Sequence, residues 1–120
     1  MTTEQIINLD FRKEENKIII QKVLRKIKPL SRYSDEYDIP LDAIEKAITI
    51  MSKKYEMHIS HMNSDYCSNK EYIIWRLSIY DDRTLVELNS IHAVSVYELF
   101  AKIAICMYAH VKRRKKEDAN

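Results

Sequence analysis

Apolar residues fall on every second position of the segment 72–80, which is the period of a strand with one buried face. Trp75, Leu77 and Ile79 carry this pattern, and the segment 84–88 repeats it after a short break. The break at 81–83 lacks glycine, but it contains two aspartates, which tolerate left-handed backbone better than most residues. The pattern therefore predicts a β-hairpin with a tight turn at 81–83.

The hydrophobic pattern also predicts how the two strands of this hairpin pair. If Tyr80 lies opposite Leu85, a regular antiparallel ladder sets Val86 and Leu88 on the same face as Trp75. That face would be apolar on both strands, so pattern and register agree.

The segment 96–111 is the most apolar part of the chain, with Glu98, Lys102 and His110 as its strongly polar residues. A helix that is apolar on nearly every side is usually buried on more than one side. Ser95 and Glu98 form an S-x-x-E capping box at its start. We therefore expect a central helix over 95–112.

Two amphipathic helices are predicted before the hairpin. Asp10 is the expected N-cap of the first, and Pro40 fits the first turn of the second. A weaker alternation over 57–62 adds a third strand. The expected fold is α+β, with a small antiparallel three-stranded sheet packed on a central C-terminal helix and two N-terminal helices. The chain 1–120 is then a single domain, in the order lead-in 1–9, helix 10–28, helix 40–55, sheet 57–90, helix 95–112 and basic tail 113–120.

Composition narrows the classes of function. The chain of 120 residues is 46% hydrophobic and 32% charged, as expected of a soluble globular protein, and it contains no glycine. Phosphate-cradling loops and dinucleotide fingerprints need glycine, so we expect no nucleotide cofactor and no catalytic activity. No run approaches the roughly 18 apolar residues of a membrane span, and no signal-peptide pattern is present. Cys67 and Cys106 are isolated, which favours reduced thiols and a cytoplasmic location.

Metal binding is not expected from the histidine spacing. His58 and His61 are three positions apart, so they would share a face on a helix and point to opposite faces on the predicted strand.

Positive charge is concentrated in two places, although the net charge is only +2. A run of five cations follows the last helix, and a second group lies on the first helix. Such runs are solvated helix faces or contacts to nucleic-acid phosphates. The candidate phosphate contacts are Lys112, Arg113, Arg114, Lys115, Lys116, Lys22, Arg25, Lys26 and Lys28.

Exposed tyrosines favour protein interfaces, and we expect Tyr66, Tyr72 and Tyr80 to be exposed. The amphipathic first helix and the last helix offer more apolar surface than three short strands cover. We therefore also expect a homodimer.

The order helix–strand–strand–strand–helix over 41–112 resembles the topology of double-stranded-RNA-binding domains. Those domains place a lysine cluster at the start of their last helix, where this chain has Val94, Ser95, Val96 and Tyr97. The departure removes the main reason to infer RNA binding. The Lys-, Ile-, Asn- and Tyr-rich composition and the ending in a hairpin and helix (72–114) resemble small accessory proteins of phages and mobile elements in AT-rich Gram-positive bacteria.

Two functions follow as expectations. The first is a non-enzymatic regulator or inhibitor that binds a protein, as the second resemblance implies. The alternative is a nucleic-acid-binding module that uses the basic C-terminal tail.

Overall fold

The computed structural model of the protein describes residues 1–62 and 73–118. It confirms the α+β class and an antiparallel sheet in the order β1-β2-β3, with the C-terminal helix packed on it. A short 3-10 turn, Lys28–Leu30, lies between the second and third helices. The elements in chain order are α1 (Thr3–Ile7), α2 (Glu14–Leu24), α3 (Leu41–Met51), β1 (Glu56–Met62), β2 (Ile73–Asp81), β3 (Thr84–Ala93) and α4 (Val96–Asp118).

Helix α4 is the centre of the core. All seven residues from 101 to 107, nearly two helical turns, are buried, so no side of the helix faces water there. Helices α1, α2 and α3 and strand β3 pack around it. A homodimer was expected because the helices offer more apolar surface than three short strands can cover. The other elements of the same chain cover this surface on α4. The homodimer therefore stays a prediction.

The start of α4 follows the predicted capping box with one variation. The backbone N–H of Glu98 donates to Oγ of Ser95 at 3.1 Å. The Glu98 carboxylate accepts from the N–H of Val94 at 2.8 Å, one residue before the expected partner. Both ends of the motif still satisfy free backbone donors at the helix start.

Four predicted boundaries in the N-terminal half are wrong, and one of them is the end of the first predicted helix, which was expected at 28 and lies at Leu24. Residues 1–9 contain helix α1, whose start is closed by a capping box between Thr2 and Gln5. Helix α2 begins at Glu14 because the Asp10 carboxylate accepts from the N–H of Arg12 in a preceding turn instead of capping the helix. Helix α3 ends at Met51, four residues before the predicted end.

The hairpin turn is confirmed, but the predicted register beyond it is wrong. Asp82 and Arg83 have φ angles of 49° and 66°, so both central residues are left-handed, as in a type I′ turn. Tyr80 pairs with Leu85 as expected, but a β-bulge follows, and Ile79 pairs with Glu87. The extra residue shifts β3 by one position, which moves Val86 and Leu88 away from the core.

One face of the sheet packs on α4 and the other faces water. Leu77, Ile79, Ile91 and Ala93 are buried on the inner face. Helix α4 packs against β3 on that side. Antiparallel sheets commonly leave one face solvated in this way. Trp75, on the inner face, is only partly buried, so the core is centred on its aliphatic neighbours.

Candidate protein-binding surface

Three aliphatic side chains are exposed at the turn end of the sheet. Leu85, Val86 and Leu88 are 48%, 45% and 52% exposed. Tyr80 lies beside them as the cross-strand partner of Leu85 and is half-buried. We call these four residues the hairpin patch. Large exposed apolar patches on small proteins usually mark interaction sites.

The bulge that creates the hairpin patch is linked to a buried polar contact. The shifted register turns Glu87 inward, where its carboxylate lies 3.0 Å from Nδ1 of His110 and also accepts from Nη2 of Arg113. A buried carboxylate needs such partners, since an unpaired charge inside a protein is strongly unfavourable. The same shift puts Val86 and Leu88 outside, so the polar contact and the exposed patch share one cause.

Polar and charged residues border the patch on the outer face of the sheet. His58 lies edge-to-face with the Tyr80 ring, with centroids 5.3 Å apart, and Nε2 of His58 lies 3.0 Å from Glu56. Arg76 is exposed on the middle strand. An apolar centre with a polar border is the usual composition of a protein–protein interface.

The tyrosine prediction is resolved at one position. The expected exposure of Tyr80 is wrong, because this side chain is half-buried beside the aliphatic residues of the hairpin patch. Tyr66 and Tyr72 lie outside the described residues, as does Cys67. Sequence reasoning did not identify Leu85, Val86 and Leu88 as surface residues. The predicted register assigned Val86 and Leu88 to the core.

The predicted basic tail is part of helix α4, which continues to Asp118. Its two arginines are engaged with carboxylates: Arg113 with Glu87, and Arg114 with Asp81 at 2.9 Å and Glu117 at 3.2 Å. These contacts fix the end of the helix against the hairpin. Of the five cations, the arginines are therefore poorly placed to bind phosphate.

The three lysines of the same run lie on one side of the helix. Lys112, Lys115 and Lys116 are exposed and spaced at i, i+3 and i+4. The Nζ atom of Lys112 lies 5.8 Å from the centroid of the Tyr108 ring, a cation–π distance. We call these three residues the lysine face.

The structure gives the N-terminal cations different roles. Arg25 donates to the backbone carbonyls of Ser34 and Tyr37 at 2.8 and 2.7 Å, and its side chain is only 14% exposed. It holds the loop after the 3-10 turn in place, so the prediction that it contacts phosphate loses its basis. Lys22 and Lys28 are exposed, but they line two different grooves. Lys26 is exposed in the turn that follows α2.

The groove beside Glu87 contains the groups nearest to a catalytic arrangement, and they are poorly disposed for catalysis. It is lined by Val86, Glu87, His110 and the arginines of α4. Nε2 of His110 is buried and has no hydrogen-bond partner among the described residues. One turn earlier, burial raises the pKa of the Cys106 thiol to about 12, whereas a reactive cysteine needs a lowered pKa.

The described part of the chain offers no set of ligands for a metal ion. Within residues 1–62 and 73–118, no group of three His, Cys, Asp or Glu residues is arranged to hold an ion. His58 lies on the outer face of β1, opposite Ser78.

Comparisons of this chain with protein-family models, curated proteins and solved structures found no match. Among the described residues, no helix has the length and apolar content needed to cross a membrane.

Proposed function

We propose that this protein is a non-enzymatic regulator or inhibitor that binds another protein through the hairpin patch. The observation that supports the proposal is the exposure of Leu85, Val86 and Leu88, each between 45% and 52%, at the turn end of the sheet. Burying such side chains against a partner contributes about 25 cal/mol per Å² of apolar area removed from water.

The position of the patch on the sheet edge adds a second means of binding. Among the described strands, β3 pairs only with β2, so its other edge has no strand partner there, although residues of α1 line a groove beside Leu88 and His92. Peptides often bind by adding a strand to such an edge, where pockets for alternate side chains give specificity. Val86 and Leu88 would contact the added strand or the surface that carries it.

The absence of catalytic activity is part of this proposal and rests on chemistry. The Cys106 thiol is buried with a raised pKa, and Glu87 is engaged by both His110 and Arg113. A phage or mobile-element origin rests on the compositional resemblance alone.

The test is capture of a partner by three forms of the protein. Leu85→Glu/Leu88→Glu charges the hairpin patch, and Ile18→Glu/Val96→Glu is the matched control, since those residues are 48% and 59% exposed elsewhere. Each form is immobilised, incubated with nuclease-treated host lysate, and the captured proteins are identified by mass spectrometry. We expect the wild type and the control to retain one protein that the patch variant loses.

The proposal fails if the patch variant captures the same protein as the control. Sedimentation velocity of the pure forms identifies the case in which the partner is a second copy of this chain. A dimer that becomes monomeric in the patch variant alone would assign the patch to self-association.

The alternative function, nucleic-acid binding, is supported by the lysine face. Lys112, Lys115 and Lys116 present three positive charges along one side of α4. Such a surface gives salt-dependent, sequence-independent binding to phosphates. In the capture experiment, this function predicts that nucleic acid is retained without nuclease and lost when the three lysines are changed.

A further inference from the structure

A groove between the 3-10 turn and helix α3 has a composition unlike the hairpin patch. Its volume is about 490 Å³. Three exposed cations line it, Lys28, Arg32 and Lys46, together with one carboxylate, Asp42. We call it the α3 groove.

The cations of the α3 groove are not neutralised within the described residues. None of the three forms an ion pair there, and Asp42 does not pair with Lys46 although it lies one helical turn away. The groove along α2 shows the opposite arrangement, because two of its cations meet carboxylates, Lys17 with Asp38 at 2.7 Å and Arg25 with Asp35 at 3.6 Å. Positive charge is therefore available to a ligand in the α3 groove.

Arg32 is held in an orientation suited to carboxylate binding. Its guanidinium lies 5.2 Å from the centroid of the Tyr33 ring, and Nη2 lies 3.3 Å from the Tyr33 hydroxyl. Contact with the ring and its hydroxyl limits the rotation of the planar group, and its other N–H donors have no partner among the described residues. A guanidinium fixed in this way loses less entropy when it binds a carboxylate with two parallel hydrogen bonds.

The groove also offers an apolar contact. Ile50 is 52% exposed at its wall, and Pro29 and Tyr33 line it as well. A ligand that uses the whole groove carries negative charge and an apolar side chain together. Nucleic-acid backbone supplies the charge without the aliphatic group. An acidic protein segment supplies both.

We propose that the α3 groove binds an acidic segment of a protein partner, with carboxylates on Lys28, Arg32 and Lys46 and an aliphatic or aromatic side chain on Ile50. The charges of the groove and the segment are complementary, and such interfaces depend on salt mainly through the association rate. The proposal stands independently of the hairpin patch, because the two surfaces share no residue.

The test is a titration of isotope-labelled protein followed by NMR, which detects weak binding and locates it. The first probe is a short capped peptide of alternating Glu and Leu. The second replaces Glu by Gln, the third replaces Leu by Ser, and the fourth is a single-stranded oligonucleotide of equal charge. We expect the first peptide to shift the amide signals of Arg32, Lys46 and Ile50 in a saturable way, and each of the other probes to bind at least about tenfold more weakly.

Two double variants of equal charge complete the test. Arg32→Glu/Lys46→Glu reverses the groove, and Lys115→Glu/Lys116→Glu makes the same change at exposed sites on α4. We expect at least a tenfold loss of peptide affinity in the first and less than a twofold change in the second, by the same titration. Equal loss in both, shifts confined to other residues, no saturable shift with the Glu–Leu peptide, or tighter binding of the oligonucleotide at the groove would each overturn the proposal.

Discussion

The Nζ atom of Lys102 lies 2.7 Å from Oε2 of Glu98, and both side chains are 1% exposed. The same Nζ donates to the backbone carbonyls of Leu9 and His92, each at 2.9 Å. A lysine ammonium has three donors, and here each has an acceptor. This one side chain therefore joins the N-terminal segment, the end of β3 and helix α4.

Replacing Lys102 by methionine is expected to lower the free energy of unfolding by about 3–5 kcal/mol, because the Glu98 carboxyl group would stay buried without its partner. Urea unfolding followed by circular dichroism measures the loss. Lys22→Met is the control, since Lys22 is exposed on α2 and should change stability by less than about 0.5 kcal/mol.

A double variant separates the ion pair from the carbonyl contacts. Lys102→Met/Glu98→Gln removes both charges, so its loss should be smaller than the sum of the two single losses. Strictly additive losses would show that the pair contributes no coupling and would contradict this account.

Arg25 gives a second stability prediction, with its neighbour as the control. Arg25→Met removes donors to the carbonyls of Ser34 and Tyr37, and hydrogen bonds that involve a charged group contribute about 1.5–3 kcal/mol. We expect a loss in that range by urea unfolding. Lys26→Met, at an exposed position, should change stability little. Equal effects of the two variants would mean that Arg25 does not anchor the loop.

The sequence predicted the fold well where side-chain patterns repeat over many residues. The uniform apolar content of 96–111 indicated the buried helix, and the alternation around Leu77 and Ile79 indicated the strand. Prediction from local propensity was wrong at helix boundaries, where a single hydrogen bond decides at which residue the helix begins. Asp10 has the side chain of an N-cap, but it bonds to Arg12 in a turn instead.

The sequence contains a signal for the correct hairpin register, but it lies beyond the short predicted strand 84–88. Had the regular ladder been continued, it would have placed Ser90 and His92 inside and Ile91 and Ala93 outside, against their apolar character. The apolar positions change phase along β3, and a bulge is the physical way to accommodate this. The candidate surfaces were harder to predict, because they depend on that shift and on ion pairs between distant residues such as Arg113 and Glu87.

Cys106 provides a prediction about alkaline pH. Burial raises the pKa of its thiol from 9.0 to about 12, so between these values the folded protein holds a proton that the unfolded chain releases. Stability should therefore fall as pH rises through this window, by on the order of 1 kcal/mol per pH unit from this group. Urea unfolding at pH 9.5 and pH 10.5, both inside this window, measures the slope, and Cys106→Ala should show a shallower one. A slope unchanged by the substitution would contradict the assignment.

The basic run contains two sets of cations, the lysine face and the two paired arginines, which differ in their expected contact with phosphate. If the lysine face binds duplex DNA, at most three phosphates are neutralised, and the logarithm of the binding constant should fall with that of salt with a slope no steeper than about −2.7. Lys112→Gln/Lys115→Gln/Lys116→Gln should abolish most of this dependence in fluorescence anisotropy measurements across salt concentrations.

The matched variant is Arg113→Gln/Arg114→Gln, which changes the two cations already paired with Glu87, Asp81 and Glu117. It should leave the salt slope within experimental error and instead lower the free energy of unfolding, because Glu87 loses a partner at a site where its side chain is only 15% exposed. A slope near −4.5 in the wild type, or a slope reduced as much by the arginine variant as by the lysine variant, would mean that all five cations contact phosphate. That result would contradict the inference that Glu87 holds the end of α4 against the hairpin.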